Sequence, residues 1–565
     1  MKRIFFATLL IQLACLSCSQ GGDKNQDDHL IGVWSGLLFQ TESAYDSIII
    51  ASTTQPKEAL LYKDGKKEVY PLTVDQTEMA FRSDSGLRFD AIKPVNQQVP
   101  TAILTHNLWV QSLDFKQVSD RWVAAIQKPE IIDTDYQVYL AFYRDSIGEI
   151  QAKIQSNKEN RELHFTIEKV TIDGNNIDLE ITNDRFGISA IYDPAQESIQ
   201  LNYSNTNSTR QVELKKLDKN KLEGYLPRSP TEEYHYEIPQ PIDADIEVSS
   251  LEKEGINSSM LAFMKNEDRA KLDHIHSIII TKNRKLVFEE YFHGYDRAYL
   301  HDIRSAFKSF ASLALGKAMM YDTNLTVKST LADYYPEYDI QDKVKQTISA
   351  HHALTMSTGI ALEDEDEMQW SNSDWVAYKL NLPMEHEPGE KFIYSSGGSN
   401  LLTGVIEKTT SRYLPLFLYE EILKPMGIDQ FQMLTSPMGR GYLAGNFYIR
   451  PVDFTKFGLL VLDHGKWNGE ELIAASWIEE STKPHIKCSY PTDADYGYLW
   501  RLLERNINGK PMKTIEAWGN GGQFLIIIPE VEMTITFTGG NYSLFPKMEE
   551  IPFEILEKYI LPAVE

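Results

Sequence analysis

The sequence is poor in cysteine, in cations and in apolar runs long enough to span a membrane. Its 565 residues include three cysteines, Cys15, Cys18 and Cys488, and two of these lie in the N-terminal segment, so an intramolecular disulfide framework is excluded. Lys and Arg number 56 against 81 Asp and Glu, and the resulting net charge of −25 argues against nucleic acid or an anionic lipid surface as a partner. A hydrophobic content of 42% is typical of a globular protein, and the length predicts about two or three domains.

Residues 1–18 are predicted to be a signal peptide rather than part of the fold. A positively charged start is followed by an apolar run at residues 4–16, which is too short to span a bilayer comfortably. The segment resembles a bacterial lipoprotein signal in which Cys18 is lipidated, with Cys15 as a second candidate and simple secretion as the alternative. We therefore expect an exported lipoprotein, periplasmic or anchored at the outer membrane or cell surface, that meets the membrane only through a lipid anchor.

Residues 30–226 are predicted to form an all-β N-terminal domain. The clearest pattern is a hairpin of alternating apolar residues at 164–181. The region contains no catalytic constellation, so the sequence favours a spacer over a substrate-binding domain. A stiff proline-rich linker at residues 227–245 precedes a domain at residues 246–565, in which helices and strands mix.

Ser305 and Lys308 form an S-x-x-K tetrad at the start of an apolar segment, which predicts a buried helix near residues 305–320. Residues three apart share a helix face, so the Lys308 amine can lie beside the Ser305 hydroxyl and take its proton. The helix N-terminus adds backbone N–H groups near the same oxygen. The tetrad alone is weak evidence, because a second copy at residues 250–253 has no supporting context.

Two segments further along the chain strengthen the prediction of a nucleophilic site. Residues 388–402 place Tyr394 on a tight loop before an apolar helix, where its hydroxyl could relay a proton; the alternative is a core tyrosine. Residues 517–530 carry a glycine cluster that enters an apolar strand, where a backbone N–H could join that of Ser305 in holding an oxyanion. A plain hairpin returning at residues 533–538 is the alternative, and both interpretations can hold together.

In this order, the three segments resemble the serine β-lactamase and penicillin-binding-protein superfamily, and most of all its class C-like branch of esterases and 6-aminohexanoate-dimer hydrolases. The similarity extends over about residues 250–560 and includes an opening hairpin at residues 276–295. It also includes the segments at residues 354–359, 453–458 and 496–500. The resemblance implies an α+β fold, with an antiparallel sheet flanked by helices, after the all-β N-terminal domain.

The resemblance implies a catalytic role for three residues. Ser305 would be the acylated nucleophile, and Lys308 would be its base or proton relay. Tyr394 would help to protonate the leaving group and to activate the deacylating water.

The resemblance also implies an oxyanion hole and a substrate-binding edge. The hole would combine the N–H of Ser305 with a second N–H from the glycine-rich segment. The second donor is Asn520 or Gly519 in one alignment and Gln523 in another. The predicted binding set is completed by Ser396, Trp518 and Gly521.

Two departures from the family pattern bear on the substrate. Ser396 stands where the second motif usually has asparagine, and a hydroxyl reaches less far than an amide. The third motif is usually Lys-Thr-Gly, whose cation helps to bind the carboxylate of β-lactams. Residues 518–520 or 520–522, according to the alignment, contain no cation, which favours a neutral ester or amide.

We therefore expect a serine hydrolase that forms an acyl-enzyme with a small ester or amide. The alternatives are a β-lactamase or D-Ala-D-Ala peptidase-like enzyme and a surface binding protein without catalysis. The sequence indicates no cofactor and no protein partner. A metal ion is not indicated either, because His274 and His276 lack a third ligand. The acidic run at residues 363–367 is expected to be a solvated loop.

Overall fold

The computed structural model of the protein describes residues 27–565 except 41–44, 85, 95–98, 127–134, 146, 157–166, 182–185, 206–208, 219–233, 242–245, 265–271, 273–274, 293–294, 490–492 and 543–545. The predicted signal peptide, with Cys15 and Cys18, lies outside the described residues, as do His274 and most of the predicted linker. The domain boundaries at the linker therefore stay a prediction. Among the described helices, none combines the length and apolar character needed to cross a bilayer.

The N-terminal region consists of β-strands joined by turns. The described strands are β1 (Gly32–Gln40), β2 (Ser47–Ile50), β3 (Glu58–Lys63), β4 (Lys66–Pro71), β5 (Thr73–Val74), β6 (Glu78–Arg82), β7 (Arg88–Ile92), β8 (Thr101–His106), β9 (Trp109–Leu113), β10 (Lys116–Val118), β11 (Arg121–Ala125), β12 (Asp135–Arg144), β13 (Ile150–Ser156), β14 (Ile167–Asp173), β15 (Asn176–Ile181), β16 (Phe186–Asp193), β17 (Ser198–Asn205) and β18 (Thr209–Lys216). The predicted all-β character of this region is confirmed.

The C-terminal region mixes strands and helices. Its described strands are β19 (Ile275–Lys282), β20 (Lys285–Tyr291), β21 (His301–Asp302), β22 (Phe431–Leu434), β23 (Phe447–Ile449), β24 (Lys466–Trp467), β25 (Glu470–Glu471), β26 (Ile486–Cys488), β27 (Ala494–Tyr496), β28 (Arg501–Ile507), β29 (Lys510–Gly519), β30 (Gln523–Ile528) and β31 (Met533–Gly539). Its described α-helices are α1 (Phe307–Met319), α2 (Leu331–Tyr334), α3 (Ala350–Leu354), α4 (Glu365–Ser371), α5 (Trp375–Asn381), α6 (Ser396–Asn400), α7 (Leu402–Thr410), α8 (Leu414–Leu418), α9 (Pro451–Leu462), α10 (Ala475–Ser481) and α11 (Lys547–Ile555).

The main sheet of the C-terminal region is antiparallel, with the order β20-β19-β31-β30-β29-β28-β27-β26. Strand β30 is apolar throughout because both of its faces are covered. Leu525 and Ile527 belong to the core that contains α1 and α9, whereas Phe524 and Ile526 belong to a second core under the C-terminal helices. The predicted α+β fold, an antiparallel sheet flanked by helices, is confirmed. The predicted helix near residues 305–320 corresponds to α1, which is buried on nearly every side.

A second sheet joins the two regions of the chain. Its order is β21-β23-β22-β9-β8-β7-β6-β5, so strands from residues 73–113 continue into strands from residues 301–449. The remaining N-terminal strands form two other sheets, one of β1 with β12–β18 and one of β2–β4 with β10 and β11. The N-terminal strands thus fall into three sheets rather than one, and the shared sheet pairs strands that are more than 300 residues apart in sequence.

Candidate active site

A strained turn presents Ser305 between β21 and α1. Arg304 has a left-handed backbone with a φ of 50°, a conformation that non-glycine residues adopt mainly where the surrounding structure holds it. The Asp302 carboxylate accepts the Arg304 N–H at 2.8 Å, and the Ile303 N–H donates to the Phe447 carbonyl at 3.0 Å. These contacts fix the turn that leaves Ser305 half-buried at the start of α1.

Lys308 lies beside Ser305, as its position three residues later predicts. Its nitrogen donates to the Ser305 hydroxyl oxygen at 2.9 Å and to the Ala444 carbonyl oxygen at 2.6 Å. The residue is only 2% exposed, so water does not compete for these hydrogen bonds. The same nitrogen lies 5.0 Å from the centroid of the Tyr394 ring. The three residues predicted to be catalytic are therefore neighbours.

The buried carboxylate of Glu363 fixes the loop that carries Tyr394. Glu363 accepts hydrogen bonds from the Gly397 N–H at 2.7 Å and from the Ser395 hydroxyl at 2.8 Å. It also forms an ion pair with Lys379 at 2.6 Å, with both side chains almost fully buried. Burial alone would raise the pKa of Glu363, but Lys379 and the hydrogen bonds outweigh it and hold this pKa below its ordinary value.

This carboxylate corrects one prediction from the sequence. The acidic run at residues 363–367 is expected to be a solvated loop. This is wrong at Glu363, which is buried, and residues 364–367 are exposed as expected but belong to the start of helix α4 rather than to a loop. The physical reason is the partner Lys379, which lies 16 residues away and compensates the buried charge.

The glycine-rich segment lies directly against the Ser305 turn. A Cβ added to Gly519 would clash with the carbonyl oxygen of Ile303 and would lie 3.1 Å from the Ala306 nitrogen. Gly521 and Gly522 follow with φ values of 94° and 95°, which favour glycine. The end of β29 is thus close to the backbone of the turn, on the side where the sequence predicts an oxyanion hole.

Gln523 and Trp518 have partners that explain their positions. The Gln523 amide spans β30 and β31, since it donates to the Gly539 carbonyl at 2.7 Å and accepts the Gly539 N–H at 3.1 Å. The Trp518 indole donates to the buried Glu516 carboxylate at 2.8 Å, and that carboxylate is neutralised by Arg505 at 2.7 and 2.9 Å.

The packing of Gly519 against the turn favours the alignment in which Gly519 or Asn520 provides the second oxyanion donor.

Ser396 lies at the first turn of α6 and is buried. Its carbonyl accepts a hydrogen bond from the Ser399 hydroxyl at 3.0 Å. On the same helix, the Asn400 side chain accepts the Leu443 N–H at 3.0 Å and so holds the segment that carries the Ala444 carbonyl. Sequence reasoning missed Asn400, although an amide within an apolar helix is the kind of residue that usually has a partner.

A cation that sequence reasoning also missed lies beside the glycine-rich segment. The Arg501 guanidinium is 4.7 Å from the centroid of the Trp518 ring and 5.9 Å from that of the Tyr394 ring. It also donates to the Cys488 sulfur at 2.9 Å and is only 6% exposed. Arg501 lies on β28, next to β29, and follows directly after the segment at residues 496–500 that the family resemblance includes. The residues of the third motif therefore include no cation, but the guanidinium of Arg501 on the neighbouring strand places a positive charge beside them.

Comparison with known proteins identifies the family of this region. Residues 276–539 match the family model described as Beta-lactamase. These residues, slightly less than half of the chain, therefore form a Beta-lactamase-family domain, which supports a serine hydrolase of that family. No curated protein shows significant similarity to the chain.

Several solved structures are similar to about half of the chain. A penicillin-binding protein from Bacillus halodurans is 15% identical, with 53% of this chain and 98% of that chain covered and a TM-score of 0.41. An octameric penicillin-binding protein homologue from Pyrococcus abyssi is 20% identical, with coverage of 53% and 78% and a TM-score of 0.43. A Bacillus anthracis protein provisionally named 6-aminohexanoate-dimer hydrolase is 18% identical, with coverage of 50% and 79% and a TM-score of 0.45. These similarities are distant, so the family assignment rests on the family match.

Proposed function

We propose that the protein is an acyl-enzyme hydrolase of small esters or amides, with Ser305 as the nucleophile. The observation that carries the proposal is the position of the Lys308 nitrogen, which is within hydrogen-bonding distance of the Ser305 hydroxyl at 2.9 Å. Serine is a weak nucleophile unless an adjacent base takes its proton, and a neutral Lys308 amine is placed to do so.

The proposed reaction has two halves. In the first, the Ser305 oxygen attacks the carbonyl carbon of the substrate as Lys308 takes the serine proton, and the N–H groups of Ser305 and of Gly519 or Asn520 stabilise the oxyanion. The intermediate collapses to the acyl-enzyme, and Tyr394 delivers a proton to the departing alcohol or amine. In the second half, water loses a proton to Tyr394 and attacks the carbonyl carbon of the acyl-enzyme. The Ser305 oxygen then departs, takes back its proton from Lys308, and the acid is released.

The substrate preference rests on the glycine-rich segment, which has no cation at residues 518–522. The test compares hydrolysis of p-nitrophenyl butyrate with that of nitrocefin, with Ser305→Ala as the control. The proposal predicts ester hydrolysis that the alanine variant loses. Rapid nitrocefin turnover without esterase activity would overturn the substrate preference.

A second candidate function is favoured by Arg501. Its guanidinium lies beside Trp518 and Tyr394, so it can supply the positive charge that penicillin-interacting relatives take from the third motif. The test measures kcat/KM of Arg501→Gln for mono-p-nitrophenyl succinate and for p-nitrophenyl butyrate. A loss confined to the anionic ester, together with Ser305-dependent labelling by a fluorescent penicillin, would favour the second candidate; equal effects on both esters would favour the first.

We also propose that the protein is exported and lipidated at Cys18. The support is the N-terminal sequence, in which a charged start and a short apolar run precede the cysteine pair. Metabolic labelling with an alkyne fatty acid tests this, with Cys18→Ser and Cys15→Ser as a matched pair. Labelling that survives Cys18→Ser but not Cys15→Ser would move the site to Cys15.

A further inference from the structure

A continuous hydrogen-bonded sheet connects the N-terminal region to the strand that leads into Ser305. Strand β9 pairs with β22, in which Trp109 lies opposite Leu434 and Gln111 opposite Gln432. Strand β22 pairs with β23, and β23 pairs with β21. Because β21 leads directly into the turn at residues 304–306, only two strands lie between β9 and the Ser305 strand.

The turn between β8 and β9 is fastened to the C-terminal region. Asn107 and Leu108 have φ values of 49° and 72°, as expected for a two-residue hairpin turn that matches the strand twist. The Leu108 carbonyl accepts the N–H of Thr435 at 2.7 Å and its hydroxyl at 2.9 Å. At the other end of β9, the Ser112 hydroxyl accepts the Phe431 N–H at 3.3 Å. The whole length of β9 is therefore bonded to β22.

Trp109 packs against the segment that carries the Ala444 carbonyl. Its ring meets the Tyr448 ring edge to face, with centroids 5.5 Å apart. It also packs on an apolar cluster formed by Met368, Trp375, Leu434, Tyr442 and Ala444. The Ala444 carbonyl is the oxygen that accepts a hydrogen bond from the Lys308 nitrogen at 2.6 Å.

We infer that Trp109 is a positioning residue for the Ser305–Lys308 pair and that the strands at residues 101–113 are part of the catalytic unit rather than a spacer. The inference rests on the proposed function wherever labelling of Ser305 is the readout. Removing the indole would leave a space beside Tyr448 and the apolar cluster that contains Ala444, so the carbonyl that accepts the Lys308 hydrogen bond would shift. A displacement of about 1 Å at a catalytic group can cost roughly 10²-fold in rate.

The experiment compares three variants of the full chain. Trp109→Ala removes the contact, and Trp109→Phe keeps an aromatic ring against Tyr448. Trp34→Ala is the control, because it removes another buried tryptophan of the N-terminal region. Trp34 lies on β1, which belongs to a different sheet from β9. Thermal unfolding identifies a temperature at which all three are folded.

The first readout is the rate constant for labelling of Ser305 by a fluorophosphonate probe. We expect a decrease of about 10- to 100-fold for Trp109→Ala. Trp109→Phe and Trp34→Ala should stay within about threefold of the unmodified protein, because both leave an aromatic ring on Tyr448. An unchanged rate for Trp109→Ala, or an equal loss in Trp34→Ala, would overturn the inference.

The second readout does not depend on the reaction. Hydrogen–deuterium exchange should accelerate at residues 300–308 and 442–449 in Trp109→Ala and not in Trp34→Ala. If the unmodified protein is not labelled at Ser305, the proposed function fails. The hydrogen–deuterium exchange data alone then decide whether Trp109 positions the Ser305–Lys308 pair. Unchanged exchange in both segments in Trp109→Ala would contradict it.

Discussion

The nitrogen of Lys308 lies 2.9 Å from the hydroxyl oxygen of Ser305, across one turn at the start of α1. The Ala444 carbonyl holds the same nitrogen from the opposite side at 2.6 Å. A lysine side chain is long and flexible, and these two oxygens restrict it to one position beside the serine.

Tyr394→Phe is expected to slow hydrolysis while leaving substrate binding nearly unchanged, because the ring beside Lys308 remains and only the hydroxyl is lost. General acid–base catalysis contributes about 10²- to 10⁴-fold, so kcat should fall by about 10²-fold or more. The loss should be larger for ethyl butyrate than for p-nitrophenyl butyrate, since p-nitrophenolate leaves without a proton. Tyr321→Phe, at an exposed tyrosine, is the control. A Tyr394→Phe variant with the original kcat for both esters would exclude the proton-transfer role.

Glu363→Gln is expected to lower the free energy of unfolding by about 3–5 kcal/mol, because Lys379 would be left buried without its partner. Asp366→Asn, in the exposed part of the same acidic run, should change it by less than about 0.5 kcal/mol. The pKa of Glu363 is lower in the folded protein than in the unfolded chain, whose ordinary value is 4.5. Its stabilisation is therefore present above about pH 4.5 and is lost as the pH falls through the lower, folded value. Urea unfolding from pH 7 to pH 3 measures both effects, and equal losses in the two variants would contradict the assignment.

Gly519→Ala is expected to abolish esterase activity and to destabilise the fold, since the added Cβ meets the Ile303 carbonyl and the Ala306 nitrogen. Gly445→Ala is a matched control on the other side of the turn, where the nearest atom to a Cβ is an Arg304 backbone carbon at 3.6 Å, an ordinary contact. Activity and melting temperature of the two variants provide the comparison. If Gly519→Ala retained activity, β29 would lie further from the turn than the structure places it.

His301 makes the protein less stable in acid. Complete burial lowers the pKa of His301 to about 3, and the positive charge of Arg304 acts in the same direction. The Nε2 atom of His301 lies 2.9 Å from Nδ1 of His276. The unfolded chain binds a proton near pH 6.5 and the folded protein does not, so stability is lost as the pH falls below 6.5. Between pH 7 and pH 5, this one group should account for about 2 kcal/mol of lost stability.

His301→Gln should remove that part of the pH dependence, even if it lowers stability at neutral pH. His464→Gln, at an exposed histidine, should leave the pH dependence unchanged. Denaturant titrations at pH 7 and pH 5 give the difference for each protein. Identical slopes with pH for His301→Gln and the unmodified protein would show that His301 is protonated in the folded state.

The residues that the sequence predicts correctly are those fixed by local spacing. The Ser305–Lys308 contact follows from three-residue spacing on a helix, and β19, β20, β30 and β31 follow from apolar patterns interrupted by turns. The Ala444 carbonyl is 136 residues from Lys308. It is a backbone group, so the residue type at this position gives no indication of its role.

Other features depend on pairing between distant segments. Arg501 lies beside Trp518 because β28 and β29 are neighbours, and the buried charge of Glu363 depends on Lys379 in a separate helix. The sheet shared by β9 and β22 joins segments whose individual patterns indicate only that each is a strand. These features therefore required the three-dimensional structure.

Peptide mass spectrometry of the protein after reaction with a fluorophosphonate probe tests most directly whether Ser305 is the nucleophile. One modified peptide is expected, with the added mass on Ser305, and no modification is expected in Ser305→Ala. Lys308→Met should slow the same labelling by about 10³-fold or more, because the serine would lose its base. Modification at another residue, or labelling that persists in Ser305→Ala, would show that Ser305 is not the nucleophile.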